Sequence, residues 1–76
     1  MEVIMTPVKS TNVESYGYDA ATSTLVVVYQ GDVRWDYAKV PPERKAEMDQ
    51  LNASGGSIGK YIHERIKGCY DGQKVI

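Results

Sequence analysis

His63 and Cys69 are the one histidine and the one cysteine in the chain, and so the first place to look for nucleophilic or metal chemistry. Six residues apart on a helix that turns every ~3.6 residues, they point to different sides and cannot pair as base and nucleophile. One of each is also too few soft ligands for a metal site. The plainer reading makes Cys69 a small buried hydrophobe and His63 a helix-surface residue. We assign no catalytic residue, metal or cofactor, and the chain reads as non-enzymatic.

The run Ser54-Gly55-Gly56-Ser57-Ile58-Gly59-Lys60 resembles a phosphate loop, but it lacks the first glycine and has Tyr61 where a Ser or Thr should follow Gly-Lys. A weaker anion site survives, in which free amides at a helix start, the Ser57 hydroxyl, Gly59 and Lys60 hold one phosphate or carboxylate. Alternatively, the glycines make an interhelical turn and Ser57 caps the next helix.

The rings are Tyr16, Tyr18, Tyr29, Trp35, Tyr37, Tyr61 and Tyr70, with no Phe. They can fill a small core with polar tips outward. They can also bind: Trp35 and Tyr37, flanked by Arg34 and Lys39, would stack bases if displayed on a sheet face that no helix covers. Residues 57–76 carry Lys60, Arg65, Lys67 and Lys74 against Glu64 and Asp71, while the preceding residues carry a net excess of acid. That helix face is either simply solvated or the phosphate-facing surface.

The elements that must position these residues are legible. Residues 24–30 (TLVVVYQ) and 33–40 (VRWDYAKV) flank Gly31-Asp32 and read as a β-hairpin. A two-residue loop sets Val28 opposite Trp35 and Val26 opposite Tyr37, making both faces apolar. A three-residue loop or a bulge instead gathers Leu25, Val27, Tyr29, Trp35 and Tyr37 on one face. Residues 13–19 (VESYGYD) alternate in one phase and read as the preceding strand, completing a three-stranded meander. Pro41-Pro42 ends the strand pattern, and Pro42 suits the first turn of a helix over 42–52 with a thin stripe of Met48 and Leu51. A stronger helix follows Ser57, with Ile58, Ile62, Ile66 and Cys69 on one face and Asp71-Gly72 at its end. Residues 1–10 read as an arm or edge, and 72–76 as a tail or a short added strand.

At 76 residues the chain reads as one domain, with 42% hydrophobic and 25% charged residues. A net charge of -1 lacks the basic excess of most nucleic-acid binders, so any such site is local. The single cysteine points to a reducing, cytoplasmic setting, and no segment has the apolar length of a membrane span.

In order, Tyr18-Asp19, Leu25-x-Val27-x-Tyr29, Gly31, Trp35-x-Tyr37, Val40-Pro41, Ser57-x-Gly59-Lys60-Tyr61 and Ile66 resemble the KTSC domain. This small family is named after the C-terminal extension of some lysyl-tRNA synthetases and also occurs as stand-alone bacterial and phage-type proteins. The resemblance covers roughly residues 10 to 70. Trp35 departs from the family's Tyr-x-Tyr pair, and Gly55-Gly56 from the small apolar residues expected there. What the resemblance implies is contact with RNA.

The expected fold is α+β, three antiparallel strands followed by two helices on one face. The expected function is a binding module for RNA, with Trp35 and Tyr37 stacking bases and Arg34, Lys39, Lys60 and Lys67 meeting phosphate. The alternative is a protein-interaction module, such as a phage-type protein that docks on a host protein through the aromatic face or an edge strand. With a two-residue hairpin loop, the exposed rings would also drive a two-fold homodimer.

Overall fold

The computed structural model describes residues 4–8 and 12–75. The order is β1 (Met5–Pro7), β2 (Val13–Asp19), β3 (Thr24–Tyr29), β4 (Val33–Tyr37), α1 (Pro42–Ala53), α2 (Ile58–Tyr61), a π-helical turn (Ile62–Ile66) and β5 (Gly72–Val75). The five strands form one antiparallel sheet in sequence order. The α+β class and both helices are as expected, but the sheet has five strands rather than three. The extra strands are the short outer ones, β1 from the segment expected as an arm or edge and β5 from the one expected as a tail or short added strand, in each case by the strand alternative. Every residue of β5 is exposed, so it leaves no apolar alternation to read. Residues 1–3, 9 and 10 of the expected arm lie outside the described residues.

The hairpin takes the three-residue alternative. Tyr29 pairs with Val33, so Gln30, Gly31 and Asp32 form the connection, with φ of 89° at Gly31 and 61° at Asp32. Glycine and aspartate are among the residues that tolerate this left-handed backbone. Trp35 therefore stands opposite Val27 and Tyr37 opposite Leu25, which puts both rings on the face with Leu25, Val27 and Tyr29. In β2 the pairing shifts between Val13 and Ser15. The bulge brings Val13 onto the same face as Tyr16 and Tyr18, which unbroken alternation would not allow.

That face is the core. Val13, Tyr16, Leu25, Val27, Tyr37 and Val40 pack with Met48 of α1 and Ile58, Ile62 and Ile66 of the second helical segment. Pro42 occupies the first turn of α1, after an extended Pro41. The Ser57 hydroxyl accepts the Lys60 N–H at 3.2 Å and caps α2. The second helix stops earlier than expected. Lys67 N–H bonds Ile62 C=O at 2.7 Å, an i to i+5 contact that widens the last turn. Lys67 is then extended and Gly68 has φ 91°. Cys69 therefore falls beyond the helix and is exposed, not buried on its stripe.

The other face of the sheet carries Met5, Gly17, Val26, Val28, Arg34, Asp36, Gln73 and Val75 by register. Among the described residues no helix is long and apolar enough to cross a membrane.

Candidate functional site

The two rings expected on the open face lie on the helix-covered one. Tyr37 is 3% exposed, and its hydroxyl shares a 2.8 Å hydrogen bond with that of Tyr29. Burial, and then this bond, push the Tyr29 phenol above its ordinary range. Trp35 stacks on Tyr37 with centroids 6.3 Å apart and planes 21° off parallel. It is only partly buried, at the rim of the core, and Lys74 is its cross-strand neighbour. Gly72 makes room for both rings, since a Cβ there would lie 2.6 Å from Tyr37 Cε1 and 3.3 Å from Trp35 Cε3. The exposed ring patch behind the expected homodimer is thus absent.

The predicted cations do not converge on these rings. Arg34 points from the open face and is engaged by Asp36 through bonds of 2.9 and 3.3 Å. Lys39 stands exposed in the link between β4 and α1. Lys60 lies 4.0 Å from Glu64, and Lys67 is exposed just past the π-turn. Arg65 and Lys74 extend this basic half of the chain, and neither makes an ion pair among the described residues. For the anion site Ser57-Gly59-Lys60, the cap takes the Lys60 N–H as donor and leaves the Ser57 O–H its own proton to donate. What remains is a shallow pocket of about 220 Å³ lined by Leu51, Ser57, Lys60, Tyr61, Glu64 and Arg65. Among the described residues no three His, Cys, Asp or Glu side chains gather as a metal site, and His63 is exposed.

Two polar networks on α1 escaped the sequence reading. Tyr16 donates to Asp49, which also accepts from Lys45 at 2.5 Å. Burial opposes ionisation of Asp49, but the bonds from Lys45 and Tyr16 outweigh it and hold the carboxyl below its usual range. The Tyr16 phenol is pushed up by burial and by that same bond. Tyr61 donates to Glu47, which also pairs with Arg44 at 2.8 Å, and Arg44 Nε reaches the Tyr70 hydroxyl at 3.3 Å. The bond from Tyr61, and then that from Arg44, lower the Glu47 pKa. Only the Lys45/Asp49 and Arg44/Glu47 spacings were available as a signal.

Compared with known proteins, residues 9–70 match the KTSC domain family. The chain belongs to this family. A KTSC domain protein of Yersinia pestis superposes with a TM-score of 0.83 at 25% identity, covering 99% of this chain and 100% of that one. A protein of Tsukamurella paurometabola is 35% identical over 63 residues, 83% of this chain and 88% of that protein. A lysine–tRNA ligase of Nostoc punctiforme is 27% identical over 55 residues, which are 72% of this chain but 10% of the ligase.

Most of the residues that carry the KTSC resemblance have structural work. The Tyr18 hydroxyl donates to Val40 C=O at 2.5 Å, and Asp19 accepts the Ala21 N–H at 3.0 Å within its turn. Leu25, Val27, Val40 and Ile66 are fully buried. The exposed rim of Trp35 and the Lys60 side chain, which is 77% exposed, are the motif features the fold does not consume.

Proposed function

We propose that this KTSC domain is a non-enzymatic module that contacts single-stranded RNA. The observation that carries the reading is Trp35, held on Tyr37 with an accessible rim and with Lys74 across the strand. A ring fixed by stacking loses little freedom when a base adds to it, and a neighbouring ammonium meets the phosphate. Lys67, Arg65 and Lys60 supply further charge on the same half of the chain. The likeness to a lysine–tRNA ligase supports an RNA-related role. Arg34 is left out of the surface because it points from the other face, and Tyr37 acts as the support under Trp35 rather than as a second platform.

Trp35 is the one tryptophan, so its emission reports this surface alone. Mixed-sequence single-stranded RNA at low salt should quench it, with affinity falling as salt rises by a log–log slope of about -0.7 per phosphate neutralised. Replacing Lys67 and Lys74 by Gln should flatten that slope. Unchanged emission at saturating RNA would sink the proposal.

A second reading, docking on a protein, is favoured by the face away from the helices, which by register carries the partly exposed Met5 and Val28 and also Val75, 41% exposed. Such an interface would bind with little salt dependence and leave Trp35 emission unchanged.

A further inference from the structure

Among the described residues three non-glycine residues have positive φ: Ser23 at 55°, Asp32 at 61° and Lys39 at 57°. Asp32 sits in the hairpin turn, where aspartate is tolerated. Ser23 and Lys39 lie far apart in sequence, yet the fold sets them side by side. Val40 N–H donates to Ser23 C=O at 2.8 Å, and Val40 C=O accepts from Tyr18 at 2.5 Å, so both backbone groups of Val40 are tied. Around this junction Thr22, Ser23, Lys39, Val40 and Pro41 line an open recess of about 350 Å³.

The left-handed backbone at Lys39 has a clear cause. The chain must reverse between β4 and α1 while Val40, fully buried, enters the core. That explains the turn but not the lysine. Glycine or asparagine would adopt this conformation at lower cost, whereas lysine carries the Cβ clash of the left-handed region. Its side chain repays nothing within the protein, being exposed and without a partner among the described residues. The Ser23 hydroxyl likewise has no partner there. Thr22, by contrast, is engaged, since its hydroxyl donates to that of Thr24 at 2.9 Å. The recess therefore offers one ammonium and one free hydroxyl on a backbone held from two sides, and Pro41 and Pro42 next to it bring no N–H donors.

We infer that this recess is an anion site in which Lys39 Nζ and the Ser23 hydroxyl hold one phosphate group. Residues held in the left-handed region gather at ligand sites, and here the strained residue's side chain is idle inside its own fold. The chemistry fits a terminal or bridging phosphate: a point charge, one hydroxyl donor and open access on the solvent side. Where that phosphate comes from an RNA strand, the inference rests on the RNA reading above and adds a contact in the link between β4 and α1. A free phosphate would use the same two groups.

Two substitutions separate ligand binding from backbone strain. Lys39→Met removes the charge but keeps the strained backbone, and Lys39→Gly removes both. Inorganic phosphate titrated into the wild type at constant ionic strength should move the Ser23 and Lys39 amide resonances along a saturating curve. Lys39→Met should weaken that response by about fivefold or more. Lys39→Gly should weaken it equally while raising the melting temperature by about 4 °C as the strain is relieved. Lys39→Arg should retain binding. No saturable shift in the wild type, or an undiminished one in Lys39→Met, overturns the site. If phosphate binds and single-stranded RNA does not, the site stands with free phosphate as its ligand and the RNA reading falls. If RNA binds wild type and Lys39→Met alike while quenching Trp35, the RNA reading stands and its phosphate does not dock here.

Discussion

The two helical segments cover the same sheet face by opposite means. The second, from Ile58 to Ile66, drives three fully buried isoleucines into the core and ends in a widened turn. The first, α1, buries only Met48 completely and keeps Leu51 partly exposed. It is tethered instead by phenols and ion pairs: Tyr16 to Asp49 with Lys45, and Tyr61 to Glu47 with Arg44 and Tyr70. Apolar burial is non-directional and indifferent to pH. Hydrogen-bonded carboxylates are directional and titrate. One helix is thus pressed onto the sheet, while the other is pinned by Tyr16 to the sheet and by Tyr61 and Tyr70 to the second segment and the turn after it.

The contrast can be broken most forcefully on the pressed side. Ile62→Ala removes packing where no polar bond compensates, and should cost about 2–5 kcal/mol. For a domain of this size that is a large share of the total stability. Urea denaturation measures it, and a loss no larger than that of a surface substitution would show that the isoleucine stripe is not what holds this segment.

Tyr16→Phe tests the pinned side with a smaller effect. The ring still fills the core, but Asp49 loses one of its two donors, so about 1 kcal/mol of stability should go. The Asp49 carboxyl should also move back towards its ordinary pKa, because Lys45 alone would then hold it down. Stability and the side-chain titration, followed together, check both halves. A neutral substitution with an unmoved Asp49 would mean the bond is idle.

The smallest expected effect is that of acid, and it sharpens the contrast most. Asp49 and Glu47 both have folded-state pKa values below their unfolded ones. Groups of that kind contribute stability that is fully present above the unfolded pKa and lost as pH falls through the folded one. The Glu47 and Asp49 side chains are 50% and 41% exposed, so screening keeps the effect modest. Protection of α1 amides from hydrogen exchange should therefore fall below about pH 4, the ordinary carboxylate range. Protection of residues 58–66 should hold over the same window. Equal loss in both segments would remove the distinction between them.

Much of this fold was legible because its signals are local. Residues 24–29 form a strand because β-branched side chains fit a pleated surface, Pro42 opens α1 because it needs no N–H there, and Ser57 caps because its hydroxyl reaches Lys60 N–H. The ordered series from Tyr18 to Ile66 pointed to the KTSC family, and residues 9–70 match it. The site was less legible. Of the six residues expected to form one surface, Arg34 faces away, Tyr37 is buried and stacked on Trp35, and Lys39 stands in the link between β4 and α1.

Between residues 13 and 66 the chain by itself determined which segments extend, which coil and where each begins, since those choices rest on neighbours a few residues apart. Only the tertiary structure decided which way the side chains face. One extra residue in the connection at Gln30–Asp32 turns Trp35 and Tyr37 to the other side of the sheet, because side chains alternate with period two. The bulge at Glu14 brings Val13 into the core by the same rule. The outer strands β1 and β5 and the early stop at Ile66, which leaves Cys69 outside, depend on backbone partners distant in sequence or on one wide helical turn. Backbone hydrogen bonds are available to every residue type, so no side-chain pattern announces where they will form.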